Sequence, residues 1–247
     1  MFIEDDGIRL HVELEMPENR TKEVPLFILI HGFTGNMEEP HLLAIRDGVK
    51  QLGFAVLRAE LYGHGQSGGT FEHHTLFKWL SNTLAVIDYA RTLDGISDLY
   101  LSGHSQGGLV AMLAGAMKAD VIRGLLPLSP AVMIPDCARQ GTLLGIPFDP
   151  DRVPEQLIVG EGEVLSGNYI RVAQTIYPEL IAPKYHGPVL IVHGGADETV
   201  PVETAQEAVK LYEQAELVIV PEDTHCFDYH SDQLTAAVTD WLIRQRA

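Results

Sequence analysis

A serine between two glycines is the residue in this sequence with the clearest chemical potential. Residues 103–107 read Gly-His-Ser-Gln-Gly, which is the pattern G-x-S-x-G. An apolar, strand-like run at 99–101 precedes the pattern, and apolar residues at helical spacing follow it. A serine on a tight turn between a strand and a helix presents its hydroxyl as a nucleophile. We therefore expect Ser105 to be a nucleophile in a strained backbone conformation, with Gly103 and Gly107 leaving room for the turn.

A serine hydroxyl is a poor nucleophile unless a base removes its proton and a further group orients that base. Asp197 follows the apolar run 188–193, and His225 follows the apolar run 216–220. If these runs are parallel strands, both residues lie at the same carboxyl edge of the sheet as Ser105. We expect His225 to take the serine proton and return it to the leaving alkoxide, while Asp197 fixes the imidazole tautomer.

Other acidic and histidine residues lie close to both positions. Glu198 adjoins Asp197, but it would point away from the site if Asp197 points into it. His230 lies five residues after His225, at the predicted start of the last helix. Asp223 is interpreted as a turn residue. We prefer Asp197 and His225 because the order serine, acid, histidine suits a G-x-S-x-G nucleophile.

Two backbone amides are expected to stabilise the negative charge that develops during attack on a carbonyl carbon. The apolar run 26–30 leads into the loop 31–35, which reads His-Gly-Phe-Thr-Gly. By position we assign one donor to the amide of Phe33 and the other to the amide of Gln106. Such amides are fixed donors that need no reorganisation in the transition state. Activity should fall at acid pH, because only a neutral His225 accepts the serine proton.

Cofactor and metal motifs are weak in this sequence. Residues 63–68 match G-x-G-x-x-G, but a loop follows them where a dinucleotide site needs a helix. The chain has 11 histidines, without H-E-x-x-H or a Cys/His cluster at zinc spacing. Four histidines near predicted strand ends are expected to bond loop backbone: His31, His64, His104 and His193. We expect no cofactor and no catalytic metal.

The remaining pattern predicts one α/β domain with an insertion. Alternation in residues 8–14 predicts an edge strand that pairs with Phe2-Ile3 in a hairpin, and further strands alternate with helices along the chain. Nine of the 14 prolines fall between Pro127 and Pro188, where only residues 168–176 have a helical pattern. We predict a core formed by residues 1–128 and 186–247, and a cap formed by residues 129–185.

The charge and the cysteine content limit the partners and the cellular location. With 17 basic and 34 acidic side chains, the formal net charge is −17, which argues against nucleic acid and anionic membrane surfaces as partners. The two cysteines do not make a disulfide framework, and the start of the sequence lacks the pattern of a signal peptide. We expect a cytoplasmic protein, or a mature chain whose leader was removed. The edge hairpin would allow a homodimer, although nothing in the sequence requires one.

The serine motif, the loop 31–35 and the order of Asp197 and His225 resemble the α/β-hydrolase family. Within that family, the sequence is most similar to bacterial feruloyl (cinnamoyl) esterases of gut and rumen organisms. The segments that carry this resemblance are Tyr62-Gly-His-Gly-Gln-Ser67, His74-Thr-Leu-Phe-Lys-Trp79, Gly103-His-Ser-Gln-Gly-Gly108, Arg171-Val-Ala-Gln174, Val189-Leu-Ile-Val-His-Gly194 and Asp223-Thr-His-Cys226.

The resemblance implies the α/β-hydrolase fold, a mostly parallel eight-stranded sheet flanked by helices with an inserted cap. It implies that the cap holds the phenolic ring of a hydroxycinnamate ester, and that Asp136 and Tyr169 contact the ring hydroxyl. The sequence departs from the family in residues 157–167, which are rich in glycine where relatives carry a bulky aromatic residue.

We therefore expect a serine carboxylesterase that hydrolyses ferulate-type esters through an acyl-enzyme intermediate, with a small aromatic ester as its substrate. One alternative is a general short- or medium-chain acyl esterase, or an acyl-peptide hydrolase, on the same three residues. A remote alternative is a non-catalytic binding protein, which would be expected to lack Ser105, Asp197 or His225.

Overall fold

Unbroken apolar runs in the sequence become the central strands of one sheet. In the computed structural model, which describes residues 1–18 and 23–246, every residue of the strands Val24–Ile30, Ala55–Ala59 and Val189–Gly194 is buried. Such strands are covered by helices on both faces, so their side chains are apolar apart from the buried Arg58 and His193.

The main sheet has eight strands, and its order along the sheet is β1-β2-β4-β3-β5-β6-β11-β12. Strands β1 and β2 form an antiparallel hairpin, β2 pairs antiparallel with β4, and the other neighbours are parallel. The strands of this sheet are β1 Phe2–Asp5, β2 Ile8–Glu15, β3 Val24–Ile30, β4 Ala55–Ala59, β5 Ile96–His104, β6 Ile122–Leu128, β11 Val189–Gly194 and β12 Ala215–Val220. The predicted edge hairpin is confirmed.

Helices cover both faces of the sheet. The helices outside the segment between β6 and β11 are α1 Pro40–Gln51, α2 Leu76–Ala90, α3 Gln106–Met117, α7 Val202–Ala208 and α8 Ser231–Arg246. Helices α1 and α8 pack with one face of the sheet in one buried cluster, which includes Ile45 and Trp241. Helices α2, α3 and α7 pack with the other face in a second cluster, which includes Trp79.

The segment between β6 and β11 contains short elements that the sequence pattern did not reveal. They are α4 Ile134–Gln140, β7 Thr142–Leu143, β8 Ile146–Pro147, β9 Gln156–Val159, β10 Glu163–Ser166, α5 Gly167–Ala173 and α6 Pro178–Ile181. The expectation that only residues 168–176 are helical is therefore wrong, because helices of seven and four residues are too short to show a period. The buried residues Leu143, Leu165 and Ile170 join the cluster of α2 and α3, so the segment packs on that side of the core.

The predicted fold, a mostly parallel eight-stranded sheet flanked by helices, is confirmed. Within the described ranges, 1–18 and 23–246, no helix has the length and apolar character needed to cross a membrane. All the parallel strands end on one edge, and this edge carries the loops that follow β3, β5, β11 and β12.

Candidate active site

The serine between β5 and α3 lies on a strained turn. Ser105 has φ 57° and ψ −120°, a combination that a residue with a side chain rarely adopts. A Cβ atom on Gly103 would overlap the Gly107 carbonyl, and a Cβ atom on Gly107 would overlap the His31 carbonyl oxygen. The Ser105 amide is held by a 2.9 Å hydrogen bond to the Leu128 carbonyl. The predicted strained conformation is confirmed, and the two glycines are required by close backbone approach.

Asp197 and His225 are in direct contact at the same edge of the sheet. Nδ1 of His225 lies 2.7 Å from Oδ2 of Asp197. The other carboxylate oxygen accepts hydrogen bonds from the amides of Thr199 and Val200, at 2.9 and 2.8 Å. His193 also approaches Oδ2, at 3.2 Å. The buried carboxylate is therefore fixed in position by neighbours on both of its oxygens.

These contacts determine the charge of Asp197 and the tautomer of His225. Burial alone would raise the pKa of Asp197, but hydrogen bonds from His193 and His225 outweigh it and hold the pKa below its usual range. An ionised carboxylate accepts the proton on Nδ1 of His225, which leaves Nε2 as the free lone pair of the ring. Nε2 is the nitrogen that a general base uses in this arrangement.

The nearby alternatives occupy other positions. Glu198 is exposed, whereas the Asp197 side chain is fully buried. Asp223 is buried, and its carboxylate accepts hydrogen bonds from the amides of Thr224, Tyr229 and His230. It thus orders the loop that carries His225, in agreement with its interpretation as a turn residue.

His104 connects the serine turn to the loop of His225. Its Nε2 donates a 2.8 Å hydrogen bond to the His225 carbonyl, and the two rings lie 4.7 Å apart between centroids. Because His104 directly precedes Ser105, this bond draws the His225 loop against the turn.

The loop 31–35 packs against the serine turn. A Cβ atom on Gly32 would lie 3.3 Å from the Cβ atom of Ser105. His31 stabilises the loop, because its Nδ1 donates to the Gly32 carbonyl at 2.8 Å and its Nε2 accepts from the Leu61 amide at 3.1 Å. Gln106 is the first residue of α3, and the first amides of a helix have no acceptor within the helix.

The histidines near strand ends bond loop backbone, as expected. His31 contacts the carbonyl of Gly32, and His64 contacts the carbonyls of Tyr62 and Phe33. His104 contacts the carbonyl of His225, and His193 contacts the carbonyl of Val200.

Two buried imidazoles, those of His31 and His74, lie beside the buried Trp79. Burial lowers the pKa of His31 to about 3, and the neighbouring His64 adds to this effect. Burial likewise lowers the pKa of His74 to about 3. These two rings are therefore neutral at physiological pH, and they pack edge to face as aromatic groups do.

The two residues expected to contact a ring hydroxyl lie in different environments. Tyr169, on α5, is fully buried, and its hydroxyl donates a 2.5 Å hydrogen bond to Oε1 of Gln106. Its ring contacts Phe33 and His74, with centroids 5.6 and 5.2 Å apart. Asp136 is exposed, and its carboxylate pairs with Arg139. The structure thus brings Tyr169 to the serine turn and leaves Asp136 at the surface.

A cavity of about 540 Å³ opens beside His225. Its lining includes the acidic side chains Glu198, Glu222 and Asp228 and the exposed ring of Tyr229. This lining favours neutral over anionic occupants, because carboxylates repel an anion.

Sequence reasoning missed a second group of polar residues near His225. Glu39, His41 and His104 place potential ligand atoms within 4.8 Å of one another. No motif indicates this group, because Glu39 and His41 flank the start of α1 whereas His104 ends β5.

Comparisons with known proteins show the family and the fold of this chain. A family model described as serine aminopeptidase, S33, matches residues 22–155, which is more than half of the chain. The chain is 53% identical to Est1E from Butyrivibrio proteoclasticus in a structure with ferulic acid bound, with a TM-score of 0.98 over 99% of this chain and 98% of that one. A second structure of Est1E is 51% identical, with a TM-score of 0.94.

More distant relatives share the fold. The chain is 26% identical over 193 residues to the mitochondrial palmitoyl-protein thioesterase ABHD10 of Pongo abelii, a match that covers 74% of this chain and 60% of that protein. The chain thus spans about 60% of the length of this curated relative. The structure of mouse ABHD10 is 18% identical with a TM-score of 0.78, which shows the fold alone. Together with the family model, the fold and the resemblance to Est1E, these findings establish that the chain belongs to the α/β-hydrolase family, in the group described as serine aminopeptidase, S33.

Proposed function

We propose that this protein is a serine carboxylesterase that hydrolyses ferulate-type hydroxycinnamate esters through an acyl-enzyme intermediate. The observation that carries the proposal is the 53% identity, over 99% of the chain, to a protein whose structure holds ferulic acid. The 2.7 Å contact between Asp197 and His225 supports the serine mechanism, because it prepares the imidazole to act as a base.

In the first half of the reaction, Oγ of Ser105 attacks the ester carbonyl carbon while Nε2 of His225 takes the hydroxyl proton. Collapse of the tetrahedral intermediate breaks the bond to the alcohol oxygen, and the imidazolium gives its proton to the leaving alkoxide. Water then attacks the acyl-serine ester by the same proton transfers and releases the acid. Asp197 stabilises the imidazolium in both halves.

The amides of Phe33 and Gln106 are the proposed donors to the developing oxyanion. Support comes from the packing of the loop 31–35 against Ser105, and from the position of Gln106 at the start of α3. Removing one donor of this kind costs on the order of 10²–10³ in rate in other serine hydrolases.

The acyl group would lie beneath the segment 129–185, which we propose as the cap. Tyr169 lies there in edge contact with Phe33. While its hydroxyl donates to Gln106, the oxygen keeps lone pairs that can accept the phenol proton of ferulate. Asp136 would reach a phenol only after its carboxylate leaves Arg139.

The leaving group is proposed to be a neutral alcohol or sugar. The cavity beside His225, the residue that returns the proton to the leaving oxygen, is lined by Glu198, Glu222 and Asp228. A cytoplasmic location and a homodimer through the edge strand β1 remain predictions from the sequence.

A substrate panel tests the proposal. We would measure kcat/KM of the purified protein for methyl ferulate, for a butyrate ester, for a medium-chain acyl thioester and for an anilide. The proposal predicts a preference for ferulate over butyrate of at least ten-fold, with little activity on the thioester or the amide. A preference for butyrate, or for the thioester, would reject the ferulate assignment and favour a general acyl esterase or a thioesterase.

A further inference from the structure

Three buried polar atoms close to His225 have no hydrogen-bond partner among the described residues. They are Oε2 of Glu39, Nε2 of His41 and Nδ1 of His104. Both imidazoles are 2% exposed, and the three residues can each place one potential ligand atom within 4.8 Å of the others. Buried polar atoms normally have partners, so a group of three residues whose polar atoms lack them is suited to hold a ligand.

The hydrogen bond of His104 fixes which of its nitrogens carries the proton. The His225 carbonyl can only accept, so Nε2 of His104 must be the donor in their 2.8 Å bond. Nδ1 of His104 therefore carries a lone pair, and none of the described residues donates a hydrogen bond to it.

The second imidazole packs against the first, with the ring centroids of His41 and His104 4.3 Å apart. Neutral imidazole is the form that binds metal ions. Glu39 is only partly buried as a residue, but its Oε2 atom is buried.

We propose that Glu39, His41 and His104 form a binding site for a divalent transition metal ion of the zinc type, separate from the catalytic residues. Two imidazoles and one carboxylate are a ligand set that zinc commonly takes, with water in the fourth position. In tetrahedral zinc sites, bonds of about 2.1 Å place ligand atoms about 3.4 Å apart, so the side chains must draw together when the ion binds.

The charge of Glu39 matters because the ion would lie at the N-terminal end of α1. The dipole of a helix opposes a cation at this end. The carboxylate supplies the negative charge that offsets the dipole, which makes Glu39 as necessary to the site as the two histidines.

A bound ion would act on the reaction through His104. The His104 ring lies 4.7 Å from the His225 ring and holds the His225 carbonyl. A divalent charge behind this ring disfavours the imidazolium that forms on His225 in the transition state. The expected effect is reversible inhibition.

The test uses the full chain after treatment with a chelator. Titration with ZnCl₂ in a calorimeter should show one saturable site, and Zn²⁺ should raise Tm. The variants Glu39→Gln and His41→Asn should each weaken binding at least ten-fold. The matched control His186→Gln removes an exposed histidine, paired only with Glu213 at 3.6 Å, and should bind Zn²⁺ like the wild type. Circular dichroism spectra would establish that each variant is folded.

The inhibition is a separate readout. Zn²⁺ should lower the esterase rate of the wild type, and a chelator should restore it, with a smaller effect in His41→Asn. The proposal is overturned if the wild type shows no saturable binding, or if Glu39→Gln and His41→Asn both bind as tightly as the wild type. The binding readout does not depend on the ester that the enzyme prefers, so it stands apart from the test of the proposed function.

Discussion

The hydroxyl of Tyr169 donates a 2.5 Å hydrogen bond to Oε1 of Gln106, the residue that directly follows Ser105 in sequence. This bond connects α5, in the segment between β6 and β11, to the first residue of α3. Because the amide of Gln106 is a proposed oxyanion donor, the contact ties the position of that donor to the packing of the proposed cap. Tyr169 is thus proposed as a positioning residue as well as a contact for the substrate ring.

Substituting Tyr169 by Phe tests this connection. Loss of one buried hydrogen bond, worth about 1 kcal/mol, should lower kcat for a butyrate ester by about five-fold, and should lower kcat for methyl ferulate at least as much. The exposed Tyr177, in the proposed cap, offers the control Tyr177→Phe, which should leave both rates unchanged. An unchanged rate on butyrate in Tyr169→Phe would contradict the positioning role.

The choice of Asp197 over Glu198 is testable with two matched substitutions. Asp197→Asn should lower kcat by about 10²–10⁴-fold, because an amide no longer fixes the His225 tautomer or stabilises the imidazolium. Glu198→Gln, at the adjacent exposed position, leaves the contact between Asp197 and His225 in place, so it should lower kcat far less than Asp197→Asn. Measuring kcat of both variants on the same ester by steady-state kinetics tests this assignment. If Glu198→Gln lost as much activity as Asp197→Asn, the assignment would be wrong.

Two serines at neighbouring strand ends provide a comparison for the nucleophile. Ser105 and Ser129 both have positive φ, at 57° and 40°, and both are buried. Ser105→Ala should lower kcat by at least about 10³-fold, since the nucleophile is lost. Ser129→Ala removes a hydroxyl without a hydrogen-bond partner, so it should retain activity. If Ser105→Ala kept the full activity of the wild type, the serine mechanism would be rejected.

The buried histidines predict a loss of stability at acid pH. Burial lowers the pKa of His74 to about 3 in the folded protein, against about 6.5 for a free histidine. Between these values the unfolded chain binds a proton that the folded protein excludes. Above pH 6.5, His74 is neutral in both states and the free energy of unfolding does not depend on its protonation. As the pH falls below 6.5, the free energy of unfolding decreases by up to about 1.4 kcal/mol per pH unit.

Urea unfolding of His74→Gln between pH 5 and 7.5 checks this effect. In this variant the free energy of unfolding should depend less steeply on pH. The difference in slope should correspond to close to one proton fewer bound on unfolding. His73→Gln changes the adjacent, exposed histidine and should leave the slope as in the wild type. Equal slopes in all three proteins would show that His74 does not exclude the proton.

The sequence predicted the core well because its strands are long apolar runs. Val24–Ile30 and Val189–Gly194 are buried along their whole length, and continuous burial leaves an unbroken apolar run in the sequence. The short elements between β6 and β11 could not be predicted in the same way. Helices such as Ile134–Gln140 and strands of two residues are shorter than any period that would reveal them.

The site was predictable where it depends on chain order and strand ends. Asp197 and His225 each follow a strand, and parallel strands bring such residues to one edge. The contact between Tyr169 and Gln106 depends on how α5 packs, which no local pattern records. The same holds for Glu39 and His104, which meet only through the packing of α1 against the end of β5.

The acyl-enzyme mechanism through Ser105 is tested most directly by detecting the acyl-enzyme itself. We would mix the protein with a chromogenic ferulate ester, follow the release of the alcohol on the millisecond scale, quench with acid and map the adduct by mass spectrometry. This mechanism predicts an initial burst in which one alcohol molecule is released per enzyme molecule. It also predicts a feruloyl group on the peptide that contains Ser105. Hydrolysis of the ferulate ester at full rate with no adduct, or with the adduct on another residue, would contradict it.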